Sequence, residues 1–211
     1  MTSGAALKLV LATTNRGKLA ELEALVAGLP IEVVSLAGFP PYEVEEDGAT
    51  LEANAIKKAV EWRERTGLAV LADDTGLSVD ALAGAPGVHS ARYASQGEPP
   101  LEDLAARSRA NNERLLRELA GVPLERRGGA FRCALCLAVP GLPPLVVPGE
   151  CRGRIALGGR GGQGFGYDPL FELPELGKTF AELSAEEKNR LSHRARAFQA
   201  FRPHLERLAR P

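Results

Sequence analysis

The sequence has few cysteines and no long apolar run. Cysteine occurs three times among 211 residues, which is too few, and an odd number, for a disulfide framework. The longest uncharged run, between Cys133 and Gly149, is interrupted by prolines and is shorter than the roughly 20 apolar residues of a membrane helix. The first residues show no basic segment followed by an apolar stretch, as a secretory leader would. We therefore expect a protein of the reducing cytoplasm without a membrane partner.

The sequence also lacks an excess of either charge. It holds 26 Lys and Arg against 27 Asp and Glu, a net charge of −1. A protein whose whole surface binds a polyanion carries a clear excess of basic residues, so that class is excluded. Any anion would have to bind at a local site. Hydrophobic residues make up 45% of the chain, and its length suits one large domain or a two-lobed one with a substantial core.

Apolar strands and amphipathic helices alternate along the chain, which is typical of an α/β fold. Leu7–Ala12 is predicted to be a buried strand, and a helical stripe follows from Lys18. A second helix is expected from Thr50 to Arg65, closed by Gly67, before another buried strand at Leu68–Ala72. Further strands are predicted at Ile31–Leu36, Leu77–Ala81, Ala130–Val139, Leu145–Val147 and Cys151–Leu157, and further helices at Leu101–Ala120 and from Thr179 onward.

A polar segment separates the first predicted strand from the first predicted helix. It consists of Thr13, Thr14, Asn15, Arg16, Gly17 and Lys18. Free backbone N–H groups and the positive end of the helix dipole make such a junction a site for anions, and Lys18 would add a full charge. The alternative is a capped turn, with Asn15 as N-cap and a solvated lysine. The spacing is not that of a Walker loop.

An acidic loop with Glu45 and Glu46 precedes the second predicted helix. Thr50, Asn54 and Lys58 on that helix are spaced i, i+4 and i+8, so they share one face beside the apolar stripe. A polar stripe that borders the core can face a cleft. The alternative is that the two acids only favour the helix N-terminus electrostatically.

Two adjacent carboxylates, Asp73 and Asp74, directly follow the apolar strand LAVLA. In open α/β sheets, ligands bind beyond the carboxyl ends of strands, where a pair of carboxylates can hold Mg²⁺ and orient water. The alternative is that one carboxylate caps a turn while the other is solvated. Burying carboxylates without compensation is costly, which favours the site.

A glycine-rich segment, with six glycines among the nine residues from Gly158 to Gly166, leads into Tyr167 and Asp168. It suits a loop on which a flat base stacks against Phe165 while Asp168 accepts hydrogen bonds. A flexible surface loop is the alternative.

The C-terminal basic segment contains Lys188, His193 and Arg194. On one continuous helix, Lys188 and His193 would point in different directions, so both could meet a ligand only if the helix breaks near Ser192. Otherwise they are solvated surface groups.

Cys133 and Cys136 have the C-x-x-C spacing of some metal and redox sites. In a strand, an offset of three places the two thiols on opposite faces. We therefore predict that both are small core residues.

Five segments together resemble the inosine triphosphate pyrophosphatase family, also called dITP/XTP pyrophosphatases. They read ATTNRGKLAEL, EEDGATLEANAIKKA, LADDTGLSVDALAGAPGVHSARYA, GFGYDPLF and KTFAELSAEEKNRLSHRARA, and they extend in order from Ala12 to Ala197. The resemblance implies an α/β fold with an elongated mixed sheet, in which residues 1–211 form a single domain of two lobes around a central cleft, and a homodimer. It also implies Mg²⁺-dependent hydrolysis of ITP, dITP and XTP between the α- and β-phosphates, giving the nucleoside monophosphate and pyrophosphate.

The resemblance also implies roles for matching residues. Thr13 to Lys18 would hold the phosphates, while Glu46, with Glu45, and Asp74 would bind Mg²⁺. Asp74 would also be the catalytic base. Thr75 stands where the family usually has serine, and it keeps the hydroxyl. The other substrate contacts would be Asn54, Lys58, Phe165, Gly166, Tyr167, Asp168, Lys188, His193 and Arg194, with base selection near the last two.

One position departs from the family pattern. The family has an acid immediately before the Asn-Ala pair of the second helix, whereas this sequence has Ala53 there and the acid one place earlier, at Glu52. A shift of one residue turns a side chain by about 100° around a helix. We therefore assign no catalytic role to Glu52.

Two other functions remain open. A pyrophosphatase for other modified nucleoside triphosphates would share the phosphate and metal parts of the site. A non-enzymatic nucleic-acid-binding protein would use the basic segment from Lys188 to Arg210. The net charge of −1 and the acidic pairs disfavour the second, so we expect no stable nucleic-acid partner.

Overall fold

The computed structural model describes residues 6–95 and 103–209. They divide into two compact units. Unit 1 comprises residues 6–74, Cys133–Gly149 and residues 194–209. Unit 2 comprises residues 75–95, residues 103–132 and Glu150–His193.

The strands form a mixed sheet in the order β2-β1-β3-β5-β6-β7-β8, with β4 paired to β3. Their bounds are β1 Leu7–Leu11, β2 Ile31–Val34, β3 Ala69–Val79, β4 Pro86–Gly87, β5 Gly128–Ala138, β6 Leu145–Ile155, β7 Phe171–Leu173 and β8 Lys178–Thr179. Strand β1 pairs in parallel with β2 and β3, whereas β3–β4, β6–β7 and β7–β8 are antiparallel. The predicted α/β class with a mixed sheet is confirmed.

The helices begin and end largely where their capping residues predict. Their bounds are α1 Arg16–Val26, α2 Leu51–Thr66, α3 Leu104–Glu118, α4 Ala185–Leu191 and α5 His193–Leu208. Asn15 and Thr50 are the N-caps of α1 and α2, and Gly67 ends α2 with a φ of 67°. Ser184 and Glu187 form the capping box of α4. Among the described residues, no helix is both long and apolar enough to cross a membrane.

The sheet of unit 1 has an apolar layer on each face. Leu9 and Leu71 pack with residues of α1 and α5 on one side. Val10 and Val70 pack with α2, including Trp62, on the other. Because neighbouring residues of β1 and β3 alternate between the two layers, these strands are buried on both faces and read as continuous apolar runs.

The two cysteines of the C-x-x-C motif lie on opposite faces of β5. Cys133 belongs to the layer with Leu9, and Cys136 belongs to the layer with Val10. Both are buried without a disulfide, and burial raises the pKa of the Cys136 thiol to about 12. The prediction that they are small core residues is confirmed.

Unit 2 has its own core, built around aromatic side chains. The rings of Phe131 and Phe171 lie 4.7 Å apart, and Phe180 stacks on Phe131 at 5.6 Å. His193 stacks on the same ring at 5.0 Å. His193 therefore packs against the aromatic core of unit 2.

Three predicted element boundaries were wrong. Asp73 and Asp74 do not follow the end of a strand, because β3 runs without a break from Ala69 to Val79. The parallel pairing of β3 with β1 ends at Leu71, and the antiparallel pairing with β4 includes Leu77, so the strand stays extended between two sets of partners. Likewise β6 is one strand rather than two. Helix α4 begins at Ala185 instead of Thr179.

Two predicted segments include residues that lie outside the described part of the chain. The helix predicted at Leu101–Ala120 corresponds to α3, but residues 101 and 102 lie outside the described residues. Arg210, at the end of the predicted basic segment, also lies outside them.

Candidate active site

The turn before α1 is capped by its own side chains. The Asn15 Oδ1 atom accepts hydrogen bonds from the backbone N–H groups of Gly17 and Lys18, at 2.9 and 3.1 Å. The backbone N–H of Asn15 donates to the Thr13 hydroxyl at 3.2 Å. The capped turn foreseen as an alternative is therefore present. A phosphate at this turn would use the Lys18 side chain and hydroxyl groups, or displace Asn15.

Lys18 extends from α1 to the carboxylate of Asp73 on β3. Its Nζ lies 2.7 Å from Asp73 Oδ1 and 3.5 Å from the Asp73 carbonyl oxygen. Lys58 on α2 donates to the same carbonyl oxygen at 3.1 Å. Two lysines from two helices therefore meet at one residue of unit 1, so the predicted lysines do lie together.

Asp73 is enclosed by positive charge. Arg194 Nε lies 2.8 Å from Asp73 Oδ2, and Arg194 Nη2 lies 3.3 Å from Oδ1. Burial alone would raise the pKa of Asp73, but the charges and hydrogen bonds of Arg194 and Lys18 hold that pKa well below its usual value. Arg194 Nη1 also donates to Glu21 on α1. Asp73 is thus an ionised structural carboxylate.

The pKa of the neighbouring carboxylate, Asp74, is shifted in the opposite direction. Burial raises the pKa of Asp74, and the negative charge of Glu46 raises it further, against the opposing effects of Lys18, Lys58 and Asn54. Asn54 Nδ2 donates to Asp74 Oδ2 at 3.0 Å. Two adjacent acids whose environments separate their pKa values are typical of acid–base sites. Burial thus favours the neutral form of Asp74, whereas the surrounding positive charges favour the charged form of Asp73.

The acidic loop lies along the predicted polar face of α2. Glu46 Oε1 is 2.6 Å from Lys58 Nζ, and the backbone N–H of Gly48 donates to Asn54 Oδ1 at 2.7 Å. Thr50, the third residue of the polar face, caps the helix. Glu45 is exposed.

The donor set fits a hard divalent cation shared with a substrate. Among the described residues, no group of three or more His, Cys, Asp or Glu side chains could hold a metal ion by itself. Glu46 and Asp74 are close enough that the charge of the first raises the pKa of the second. Mg²⁺ in nucleotide enzymes is typically bound by one or two carboxylates together with substrate phosphates and water. Glu46 and Asp74 are therefore the residues that would hold such a cation.

In unit 2, the predicted carboxylate and lysine are paired. Lys188 Nζ lies 2.5 Å from Asp168 Oδ2 and 4.7 Å from the centre of the Phe165 ring. The Phe165 N–H donates to the same carboxylate at 2.8 Å. At Gly164 a Cβ atom would lie 2.1 Å from Asp168 Oδ2, so this turn requires glycine. The glycine-rich segment is therefore organised around Asp168.

The other residues of this segment are held by partners that the sequence did not suggest. The Tyr167 hydroxyl donates to the Ser90 carbonyl oxygen at 2.9 Å, and the Tyr167 side chain is buried. Asn112 Nδ2 on α3 donates to the Gly166 carbonyl oxygen at 3.0 Å. Nothing in the local pattern around Asn112 signals this contact, because its partner is 54 positions away in sequence.

Helices α4 and α5 are separated by a break at Ser192, the position that the sequence predicts for the case that Lys188 and His193 both meet a ligand. Ser192 ends α4 with extended backbone angles, φ −68° and ψ 162°. Lys188 precedes the break and His193 follows it, and both side chains are buried in unit 2. The condition for both to meet a ligand is therefore fulfilled.

The structure sorts the predicted site residues into two sets. Those brought together in unit 1 are Lys18, Glu46, Asn54, Lys58, Asp74 and Arg194, and those brought together in unit 2 are Phe165, Gly166, Asp168 and Lys188. Thr75 follows Asp74 in β3 and is half-buried. Glu21 was missed, although its position three residues after Lys18 puts it on the same face of α1.

Comparisons with known proteins agree on one family. The model of the Ham1 family matches residues 9–204. A dITP/XTP pyrophosphatase from an Anaeromyxobacter species is 52% identical, over 96% of this chain and 98% of the relative. One from Geobacter sulfurreducens is 50% identical, over 94% and 96%.

Solved structures agree with these sequence matches. A HAM1 protein from Coxiella burnetii is 37% identical with a TM-score of 0.82, covering 95% of this chain and 99% of that one. A nucleoside-triphosphatase, also described as dITP/XTP pyrophosphatase, from Mycobacterium abscessus is 45% identical with a TM-score of 0.71, covering 93% and 100%. The chain belongs to the Ham1 family.

Proposed function

We propose that the protein is a pyrophosphatase that hydrolyses the deaminated purine nucleoside triphosphates ITP, dITP and XTP to the monophosphate and pyrophosphate. The observation that carries this proposal is the adjacent pair Asp73 and Asp74: Lys18 Nζ lies 2.7 Å from Asp73 Oδ1, Lys58 donates to the Asp73 carbonyl oxygen at 3.1 Å, and Asn54 donates to Asp74 Oδ2 at 3.0 Å. Relatives of about half identity that are named dITP/XTP pyrophosphatase support the choice of substrate.

Asp74 is the proposed catalytic base. Its carboxylate orients the attacking water and accepts a proton from it as the oxygen approaches the α-phosphorus. A pKa raised by burial and by Glu46 makes this carboxylate a better proton acceptor than Asp73, whose negative charge is bound by Arg194. The Asn54 amide donates a hydrogen bond to Asp74 Oδ2, and this bond orients the carboxylate.

The lysines are the proposed stabilisers of the leaving group. Lys18 and Lys58 both reach the Asp73 carbonyl oxygen, so their positive charges are concentrated at one place in unit 1. Charge that develops on a departing pyrophosphate is best stabilised by groups already in position. The residues from Thr13 to Gly17 are the proposed further phosphate contacts, at the N-terminus of α1.

Mg²⁺ is the proposed cofactor, with Glu46 and Asp74 as its protein ligands and Glu45 as a further candidate. When bound, it would neutralise negative charge on the phosphate oxygens that water must approach. Glu45 is the weaker candidate because its side chain is exposed.

The nucleoside contacts are proposed among the residues singled out from the sequence. Phe165 would stack on the base, and Gly166, Tyr167, Asp168 and Lys188 would complete its surroundings. His193 and Arg194 are the proposed donors to the 6-oxo group, which adenine replaces with an amino group. Because Arg194 is held by Asp73 and Glu21, it would reach a base only by exchanging one of these carboxylates. Thr75 would add a hydroxyl contact.

A comparison of substrates tests the proposed function. We expect turnover of ITP, dITP and XTP well above that of GTP, ATP and dTTP, with pyrophosphate rather than phosphate released and with loss of activity in EDTA. Equal or faster turnover of dTTP would indicate a pyrophosphatase for other modified triphosphates. No hydrolysis, together with steeply salt-dependent DNA binding, would indicate a nucleic-acid-binding protein.

We further propose that the enzyme acts as a homodimer in the cytoplasm, without a nucleic-acid or membrane partner. The sequence resemblance and the reduced, buried Cys133 and Cys136 support this. Light scattering of the purified protein should give twice the mass of one chain, and a monomer mass at micromolar concentration would contradict the dimer.

A further inference from the structure

Asn54 on α2 uses both ends of its amide within the protein. Its side chain is buried, with 2% of the residue exposed. Nδ2 donates to Asp74 Oδ2 at 3.0 Å, and Oδ1 accepts from the Gly48 N–H at 2.7 Å. The two partners also fix the orientation of the amide, because a carboxylate can only accept and a backbone N–H can only donate. One side chain therefore joins the acidic loop to the proposed base.

The contact with the loop is close enough to require glycine. A Cβ atom at Gly48 would lie 2.6 Å from Asn54 Oδ1 and 2.9 Å from the Cβ of Ala53. Real Cβ atoms do not approach other atoms so closely, so any side chain here would displace either the loop or the Asn54 amide. The bond between the loop and Asn54 thus requires glycine at position 48.

The same loop carries Glu46, the other proposed ligand of Mg²⁺. Glu46 lies two residues before Gly48, and its Oε1 lies 2.6 Å from Lys58 Nζ, which also donates to the carbonyl oxygen of Asp73, next to Asp74. The chain forms no helix or strand between the short 3-10 helix Leu36–Gly38 and the N-cap Thr50. Side-chain contacts with α2 hold the loop in place, and one of them, the bond from the Gly48 N–H to Asn54, involves a side chain that also donates to Asp74.

We propose that Asn54 is a positioning residue that sets the distance between Glu46 and Asp74, and that it is not the substrate contact expected from the sequence. The inference rests on the proposed function, since these two carboxylates are the proposed ligands of Mg²⁺. Both polar atoms of Asn54 already have partners in the protein. Its effect on catalysis acts through the geometry of the two acids, which groups around the metal ligands commonly determine.

Kinetics distinguish positioning from substrate contact. In Asn54→Ala we expect kcat to fall about 10²-fold, as for a misplacement of about 1 Å. The Mg²⁺ concentration for half-maximal rate should rise about 10-fold or more. The KM for ITP at saturating Mg²⁺ should stay within about threefold of wild type, because no substrate contact is lost. A large rise in KM with unchanged kcat and unchanged Mg²⁺ requirement would overturn the proposal.

Hydrogen exchange gives a second measurement that needs no substrate. The Gly48 amide should exchange at least about tenfold faster in Asn54→Ala, because its acceptor is gone and the local structure opens more easily. In Asn54→Asp, an oxygen remains for Gly48 but the donor to Asp74 is lost, so we expect near-normal protection with low kcat. Unchanged exchange in Asn54→Ala, or wild-type kcat in Asn54→Asp, would overturn the proposal.

A double-mutant cycle with a matched glycine completes the test. Gly48→Ala should reproduce the kinetic defect of Asn54→Ala, and the double variant should be little worse than either, since both changes break one contact. Gly38→Ala is the control, because a Cβ there meets nothing within 4 Å. If the losses of kcat in the two single variants add up in the double variant, Gly48 and Asn54 do not act through one shared contact. If wild type hydrolyses no triphosphate, the proposed function fails, and the exchange data still decide whether Asn54 holds the loop.

Discussion

Arg194 at the start of α5 binds the carboxylate of Asp73 in the middle of β3, across 121 positions of sequence. Both side chains are almost fully buried, and Arg194 uses two nitrogens on the two carboxylate oxygens. This pair commits one of two adjacent acids to the structure of unit 1. Asp74, the other acid, keeps a raised pKa and is the proposed catalytic base.

Loss of the Arg194 charge should destabilise the protein strongly. Removing one partner of a buried ion pair leaves an uncompensated charge and typically costs about 3–5 kcal/mol. We expect Arg194→Met to lower the free energy of unfolding by that amount, measured by urea denaturation. The matched control is Arg202→Met on the same helix, since the exposed Arg202–Glu206 pair should contribute less than about 1 kcal/mol. Equal effects of the two changes would contradict this account of Arg194.

The same pair predicts how stability depends on pH. The pKa of Asp73 in the folded protein is held below its unfolded value of about 3.9, so the folded state keeps the charged form. The resulting stabilisation is fully present above about pH 5 and is lost as the pH falls toward the folded pKa. The difference in unfolding free energy between wild type and Asp73→Asn should therefore shrink from pH 6 to pH 3. If the unfolding free energies of the two proteins change in parallel over that interval, folding does not lower the pKa of Asp73.

Asn112 and its neighbour Asn111 should behave differently when replaced. Asn112 Nδ2 binds the Gly166 carbonyl oxygen, but its buried Oδ1 has no hydrogen-bond partner in the part of the chain that is described. Asn111 bonds to Ala94 and to the carbonyl oxygens of two further residues. An unpaired buried acceptor costs about 1–3 kcal/mol, and Asn112→Leu removes this acceptor together with the bond to Gly166. These two effects on stability oppose each other, so the melting temperature should stay near wild type. The KM for ITP should rise several-fold, because Gly166 is a proposed substrate contact.

Asn111→Leu is the comparison, because it removes several satisfied hydrogen bonds. It should lower the melting temperature by several degrees. If Asn112→Leu instead loses as much stability as Asn111→Leu and keeps the KM of wild type, Asn112 has a structural role only.

Local patterns predicted the elements whose causes are local. Asn15, Thr50 and Gly67 mark helix ends because each forms its hydrogen bonds or backbone turn within a few residues. The opposite faces of Cys133 and Cys136 follow directly from the period of a strand. These features were predicted correctly for that reason.

The features that were missed depend on distant partners. The stretch from Asp73 to Gly76 has the composition of a turn, yet pairing of β3 with β1, β4 and β5 keeps the strand extended. Glu21 meets Arg194 across 173 positions. The sequence identified Asn54 as a polar residue on the correct face of α2, but only the structure shows that Gly48 and Asp74 occupy both ends of its amide.

The turnover of Asp74→Asn tests the central claim most directly. The replacement keeps the shape of the side chain and removes a carboxylate whose charged form is disfavoured by burial, so the melting temperature should equal or exceed that of wild type. If Asp74 is the base, kcat for ITP at saturating Mg²⁺ should fall by about 10²–10⁴-fold. A folded Asp74→Asn variant that retains more than about a tenth of the wild-type kcat would contradict the assignment, because loss of a general base costs more than that.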